Sequence, residues 1–353
     1  TKKLKRRRIR GARAGAPFRL RACESVDCCE KVGMERDPQP TFADVEAAAA
    51  RIRPHVHRTP VLTSSSLDAI VGGHLFFKCE NFQKVGAFKF RGACNAVFSL
   101  APDEARCGVA THSSGNHAQA IALAARLRGV PAFVVMPSTS KEVKKIAVAG
   151  YGARITLCEP TLAAREETLA KMVAETGATE VHPYNDPRVI AGQGTAALEL
   201  FQDVPDLDIV MTPVGGGGLL SGTAITANAL SATMRVVAAE PAGADDAFRS
   251  LQAGRIVPSV NPRTICDGLL TSLGTLTFAI IRERVARIVT VSEEAIIEAM
   301  RHIWERMKIV VEPSAAVPLG ALLAGTLSVS SLRVGIILSG GNVDLASLPW
   351  GQN

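Results

Sequence analysis

The sequence predicts an α/β protein whose mostly parallel sheet is covered by helices on both faces. Three observations carry that expectation. Apolar runs of β type alternate with helical stretches, and several runs are continuously apolar, as strands buried on two faces are. Glycine- and serine-rich segments stand where such a run ends and a helical stretch begins, the place where open α/β sheets bind ligands. The chain has 353 residues, 47% hydrophobic and 21% charged, enough apolar surface for a large core, which excludes disorder as its dominant state. No run of about 18 apolar residues is free of charge, so no membrane span is expected. Eight cysteines are too dilute for a disulfide scaffold.

Taken in order, residues 1–38 form a basic extension. Residues 1–22 hold ten Lys or Arg and no acid, including the run from Lys2 to Arg10. The other 331 residues hold 30 basic against 33 acidic groups, so the body has no electrostatic support for nucleic-acid binding. The extension reads as a disordered or polyanion-binding tail or, being Arg-rich and acid-poor, an organellar transit peptide. Order begins near Pro40, where TFADVEAAAARI (41–52) reads as a helix with Thr41 as its cap. Strands are expected at 107–111, 132–136, 153–157, 208–214, 235–239, 287–291 and 334–338. Helices are expected at 117–128, 140–149, 161–176, 218–230 and 293–307. Cys23, Cys28 and Cys29 fall in the extension. Cys79, Cys94, Cys107, Cys158 and Cys266, scattered among apolar neighbours without a CxxC pair, read as reduced, buried small hydrophobes in a cytosol-like compartment.

Four loops carry the chemistry. PVGGGGLLSG (213–222) follows a strand and opens a helix. Its four glycines let backbone N–H groups crowd an anion, which suits a phosphate. Neither the nicotinamide fingerprint nor a Walker loop fits it. THSSGNHAQA (111–120) crowds Ser113, Ser114, Asn116 and His117 around one turn that can hold a carboxylate, and capping by one Ser does not explain the whole cluster. In FQKVGAFKFRGACNAV (82–97), Lys89 stands between Phe88 and Phe90. Most lysines are solvated surface groups, but an apolar setting depresses the pKa and yields a nucleophilic amine. The fourth, ILSGGNVDL (337–345), puts Ser339 and Gly-Gly-Asn at another strand end.

Together these segments resemble one family, the fold-type II pyridoxal-phosphate enzymes (tryptophan synthase β-like), in the branch of the serine racemases and the serine/threonine dehydratases. The resemblance runs from about residue 41 to 345. It includes FADVEAA, TPVLTSS, FFKCENFQK, AGYGARITLCEP (149–160), VIAGQGTAALE (189–199), AAEPAGADDAF (238–248) and WERMKIVVEP (304–313). It implies two lobes, each with a mostly parallel sheet flanked by helices. The larger, cofactor-binding lobe comes from 39–107 and 186–353, the smaller from 108–185. A cytoplasmic homodimer is expected, or an organellar one if the extension is a transit peptide.

The resemblance also implies the site. Lys89 holds pyridoxal phosphate as a Schiff base, with Phe88 packed near the ring. The phosphate lies on Gly215, Gly216, Gly217, Gly218 and the amide of Leu219, Ser339 faces the pyridine nitrogen, and Asn116 faces the ring 3′-oxygen. A hydroxyl does not keep that nitrogen protonated, so the ring is a weaker electron sink, suited to α-proton removal with β-elimination. The substrate carboxylate sits on the Ser113–His117 turn, with Arg165 adding a charge-assisted contact. Lys89 serves one face of Cα and Ser114 the other. A serine hydroxyl is a poor base unless its neighbours tune it.

Ser114 stands where biosynthetic threonine dehydratases carry Ala, and after Ser339 no room is expected for an amino-acid-sensing domain. Both tilt toward serine racemisation, with β-elimination of serine to pyruvate and ammonia. The alternative is an L-threonine/L-serine dehydratase or 3-hydroxyaspartate ammonia-lyase with little racemisation. Glu240, Ala244 and Asp246 match the family's divalent-metal spacing, an all-oxygen set suited to Mg²⁺, Ca²⁺ or Mn²⁺. Lys84, Gln119, Tyr151, Lys308 and Asn342 fall at positions like those of an ATP effector pocket at a dimer interface. One departure stands out. HPYNDP (182–187) has Tyr184 and then Asn185 where the animal enzymes place Asn directly after His-Pro, which leaves the cofactor's edge contacts and the substrate preference open.

Overall fold

Ten strands and the helices between them build two sheets in the computed structural model, which describes residues 39–350. The basic run, Cys23, Cys28 and Cys29 lie outside the described residues. The strands are β1 (Val61–Leu62), β2 (His74–Cys79), β3 (Val109–His112), β4 (Ala132–Pro137), β5 (Arg154–Cys158), β6 (Thr179–Glu180), β7 (Ile209–Pro213), β8 (Arg235–Pro241), β9 (Arg287–Val291) and β10 (Arg333–Leu338). One sheet runs β1-β2-β10-β7-β8-β9 and is parallel except for the β1–β2 pair. The other runs β5-β4-β3-β6 and is parallel throughout.

Continuous apolar strands have helices on both sides here. Met211 and Ile336 belong to one hydrophobic cluster, while their chain neighbours Val210 and Ile337 belong to the cluster on the opposite face. Register sets the functional edge. Leu338 pairs with Cys79 and Pro213 with Ala239, so the segments after β2, β10, β7 and β8 leave the sheet at its carboxyl edge. The turn after β3 leaves the smaller sheet in the same sense.

Helix ends follow local chemistry. Thr41 caps Phe42–Ile52 through a reciprocal box, its hydroxyl accepting from Asp44 N while Asp44 accepts from Thr41 N. Asp186 caps Pro187–Asp203, accepting from Arg188 N and Val189 N, with Pro187 at the first helical position. Two expectations need correcting. The helix expected over 293–307 is α-helical only from Glu293 to His302. Residues Ile303–Met307 form a π turn, ended by Lys308 at φ 58. Of the five cysteines expected to be buried, Cys79, Cys94 and Cys266 are, but Cys107 and Cys158 are half-buried because each stands at the end of its helix or strand; all five are free thiols. Among the described residues no helix is long and apolar enough to cross a membrane.

Candidate active site

Lys89 opens the helix Lys89–Ser99 directly after a turn stitched to the end of β10. Val85 (φ 55) and Gly86 (φ 69) are both left-handed, a conformation that costs a β-branched residue on the order of 1–3 kcal/mol. Three hydrogen bonds hold it. Asn342 Nδ2 donates to Val85 O (2.7 Å), Gly341 N to Gly86 O (2.9 Å) and Phe88 N to Ser339 O (3.0 Å). Lys89 and the buried Ser339 are thereby brought together. Lys89 Nζ donates to Pro183 O (2.8 Å) and lies 5.2 Å from the Phe88 ring centroid. Burial lowers the amine to about 8, against the opposing pull of the Glu312 carboxylate. Such an amine keeps an appreciable unprotonated fraction near neutrality, the condition for attack on an aldehyde.

β7 delivers the tetraglycine segment to the start of the helix Gly218–Leu230. Gly217 has φ 89 and needs glycine on that ground alone. A Cβ on Gly218 would fall 2.5 Å from Gln193 Oε1, and one on Gly216 would run into the Tyr184 ring. Among the described residues no acceptor faces the backbone N–H groups of Gly215 through Leu219. Gln193, fully buried against Gly218, has both amide atoms unpartnered. Orphaned donors at a helix N-terminus fit the phosphate of pyridoxal phosphate.

The turn after β3 leads into a helix whose His117 feels the charge of the same amine. Ser113 Oγ accepts from Gly115 N (3.3 Å), and the Ser114 hydroxyl has no hydrogen-bond partner among the described residues. Asn116 Nδ2 donates to both Glu312 oxygens (3.1 and 3.2 Å) while its Oδ1 accepts from Asn342 Nδ2 (2.9 Å). The buried His117 sets Nε2 3.2 Å from Val181 O. His182 Nδ1 accepts from Tyr184 N and Asn185 N, which puts its proton on Nε2. Burial, with Lys89 acting in the same direction, pushes His117 well below its ordinary value and His182 to about 4. The imidazoles facing the lysine are therefore neutral. Arg165, half-buried, donates from Nε to Thr161 O (3.3 Å), and its charge reaches His112 and Tyr184.

The family model for pyridoxal-phosphate dependent enzymes matches residues 52–340. The chain belongs to that family. Its relatives include a β-hydroxyaspartate dehydratase of Paracoccus denitrificans (strain Pd 1222), 54% identical over 88% of this chain and 99% of the relative. A serine racemase of Dictyostelium discoideum is 50% identical over 87% of this chain and 96% of its own. The crystal structure of serine racemase from Dictyostelium discoideum superposes with a TM-score of 0.84, covering 87% of this chain and 99% of that one. The fold is that of the fold-type II enzymes, and the chain is a pyridoxal-phosphate-dependent enzyme.

Elsewhere in this family member, Glu240, next to last in β8, is fully buried and accepts from Ala247 N (2.9 Å) and Phe248 N (2.8 Å). Asp246 is 1% exposed, with the Ser259 hydroxyl as the side-chain group that favours its ionised form. Burial raises Glu240 to about 8 and Asp246 to about 6. Among the described residues no three His, Cys, Asp or Glu side chains gather as a metal set; the expected set has two, plus the Ala244 carbonyl. Of the effector candidates, Asn342 reaches Asn116 and Val85, and the turn bearing Lys84 packs on the helix bearing Gln119. Tyr151 packs instead with Ala118 and Val148, and Lys308 ends the π turn.

Proposed function

We propose that this enzyme interconverts L- and D-serine and also β-eliminates serine to pyruvate and ammonia. The carrying observation is the Lys89 amine, depressed to about 8 and set against neutral imidazoles beside the turn that bears the unpartnered Ser114 hydroxyl. Bound pyridoxal phosphate withdraws electrons from the substrate Cα and so acidifies its proton. The chain's residues do the rest. The Ser113–His117 turn, with Arg165, receives the substrate carboxylate. The Lys89 amine takes the Cα proton on one face, and the Ser114 hydroxyl exchanges a proton on the other. The neutral imidazoles of His117 and His182 add no competing charge. Elimination needs the Lys89 half of this machinery, the ammonium formed there returning its proton so that the β-hydroxyl departs as water, whereas inversion needs both halves. Chiral analysis of L-serine incubated with the cofactor-loaded enzyme tests the reading, and pyruvate and ammonia without D-serine would overturn it.

A second reading, β-elimination from 3-hydroxyaspartate, is favoured by the Arg165 guanidinium, whose charge acts on His112 and Tyr184, and by the 54% identical dehydratase. A rate on 3-hydroxyaspartate far above that on serine would select it.

Two buried carboxylates whose charges oppose each other, Glu240 and Asp246, support a divalent cation held by them and the Ala244 carbonyl, of the oxygen-loving kind. Homodimer assembly is proposed as well, supported by Phe82 and Val310. Both are 44% exposed, and they belong to segments joined by the Asn81 Nδ2–Val310 O bond.

A further inference from the structure

We propose that Glu312 is a positioning residue of the cofactor site: its buried carboxylate holds the Asn116 amide so that the amide's second N–H is left for the cofactor ring's 3′-oxygen. The inference rests on the pyridoxal-phosphate reading above and adds a residue to it.

Glu312 occupies the cap position of the helix Pro313–Leu323, where an acidic side chain ordinarily accepts from the first turn's own N–H groups. It makes no such bond. Both oxygens turn instead to Asn116 Nδ2, 196 residues earlier in the chain, at 3.1 and 3.2 Å. Asn116 Oδ1 is already committed to Asn342 Nδ2 (2.9 Å), so the amide is fixed in one orientation with a single N–H unspent.

Glu312 is only 4% exposed and has no cation within ion-pair distance among the described residues. A buried carboxylate without a salt bridge is costly to keep, and such groups cluster at functional sites. The charged groups facing it are Lys89, Lys144 and Asp267, the last two paired with each other at 2.7 Å. Glu312 is also the carboxylate whose charge acts on the Lys89 amine. Its backbone is fixed to the Ser339 turn, because Glu312 N donates to Gly340 O (3.0 Å) and a Cβ on Gly340 would fall 2.6 Å from Glu312 Oε1. One side chain thus touches the residue expected at the 3′-oxygen and the turn expected at the pyridine nitrogen.

The test is a double-mutant cycle read by cofactor binding. Apoprotein of the unsubstituted chain, Glu312→Gln, Asn116→Ala and the double variant is titrated with pyridoxal phosphate, following the visible absorbance of the lysine-bound cofactor. Burial raises the Glu312 carboxyl to about 7, so the titration is run above that pH, where Gln keeps the shape and an uncharged acceptor but loses the charge assistance that roughly doubles such a bond. Glu312→Gln should weaken binding about tenfold, equivalent to about 1.4 kcal/mol. It should also move the pH at which the bound cofactor's spectrum changes. In the Asn116→Ala background the same substitution should add almost nothing. Unchanged affinity and spectrum in Glu312→Gln, or losses that multiply in the double variant, would overturn the proposal. If Glu312→Gln does not fold by circular dichroism, Glu312→Asp enters the same cycle. A failure of the unsubstituted chain to develop the visible band would sink the cofactor reading itself, a result distinct from either outcome.

Discussion

Replacing Arg91 with Met should remove the centre of a buried charge network two residues from Lys89. Arg91 Nε and Nη2 grip the two Glu80 oxygens at 2.7 and 2.8 Å, and Nη1 and Nη2 grip the two Glu199 oxygens at 2.8 Å each. Lys78 Nζ adds a bond to Glu199 (2.6 Å), giving two cations against two carboxylates; three of these side chains have no exposure and Glu199 has 15%. Met matches the stem's volume but carries no donor. Glu199 would keep Lys78, whereas Glu80 would keep only the Thr59 hydroxyl (2.6 Å). Stranding one buried carboxylate in this way costs about 3–5 kcal/mol, a large share of the roughly 5–15 kcal/mol that holds a folded domain. Urea unfolding of the apoprotein followed by circular dichroism should show that loss. Adding Glu80→Gln to the Met variant should restore part of it, because the stranded charge is then gone. A loss below about 1 kcal/mol, or no recovery in the double variant, would refute the account of Arg91 as the compensating charge.

Three further outcomes are expected. Ser114→Ala should cut conversion of L-serine to D-serine far more than pyruvate formation, and equal losses in a coupled assay would reject an opposite-face role for the hydroxyl. Because burial lowers the Lys89 amine to about 8 and only the free amine attacks the aldehyde, capture of pyridoxal phosphate by the apoprotein should accelerate about tenfold per pH unit below about 8 and level off above it. A flat profile in stopped-flow absorbance would contradict this, and the sign follows from a base whose folded pKa is depressed, so that the proton is lost earlier on raising pH. Mg²⁺ should raise the melting temperature of the chelator-treated enzyme, and Asp246→Asn should abolish that rise; an undiminished rise would place the cation elsewhere.

Much of this was legible in the sequence where chemistry is local. Thr41 announces a helix start by its reciprocal bond with Asp44, and continuously apolar strands such as β7 and β10 stand out because both of their faces are buried. Burial on every side also hides elements. The helix Pro313–Leu323 is apolar all round, has no amphipathic period and contains Pro318, so nothing in its pattern separates it from a strand or a loop. β1 and β6, two residues each, are too short to leave a period. The helix beginning at Lys89 opens on Phe88, which makes no side-chain cap. At the site, residue types around single turns singled out Lys89, the cluster from Ser113 to His117 and the glycines as candidates, and only the family resemblance separated Ser114 from its neighbours. Glu312, Gln193 and the Pro183 carbonyl carry no local mark, because their roles come from contacts made across the fold, such as the 94-residue separation between Lys89 and Pro183.

The two groups proposed to handle protons reach the site from different sheets, and their separation is set by one packed interface. The helix that begins at Lys89 and the helix that begins at Asn116 share a hydrophobic cluster in which Phe90, Ala93 and Val97 meet Ile121, Ala124 and Ala125. Lys144–Asp267 (2.7 Å) and Lys141–Asp344 (3.4 Å) also cross between the two sides. Those pairs are largely solvent-exposed, however, and pairs of that kind contribute only about 0–1 kcal/mol. Positional precision therefore comes from the apolar helix pair and from the buried Asn116–Glu312 contact at its end. In the proposed mechanism elimination draws on the helix start at Lys89, whereas inversion at Cα draws on both helix starts at once.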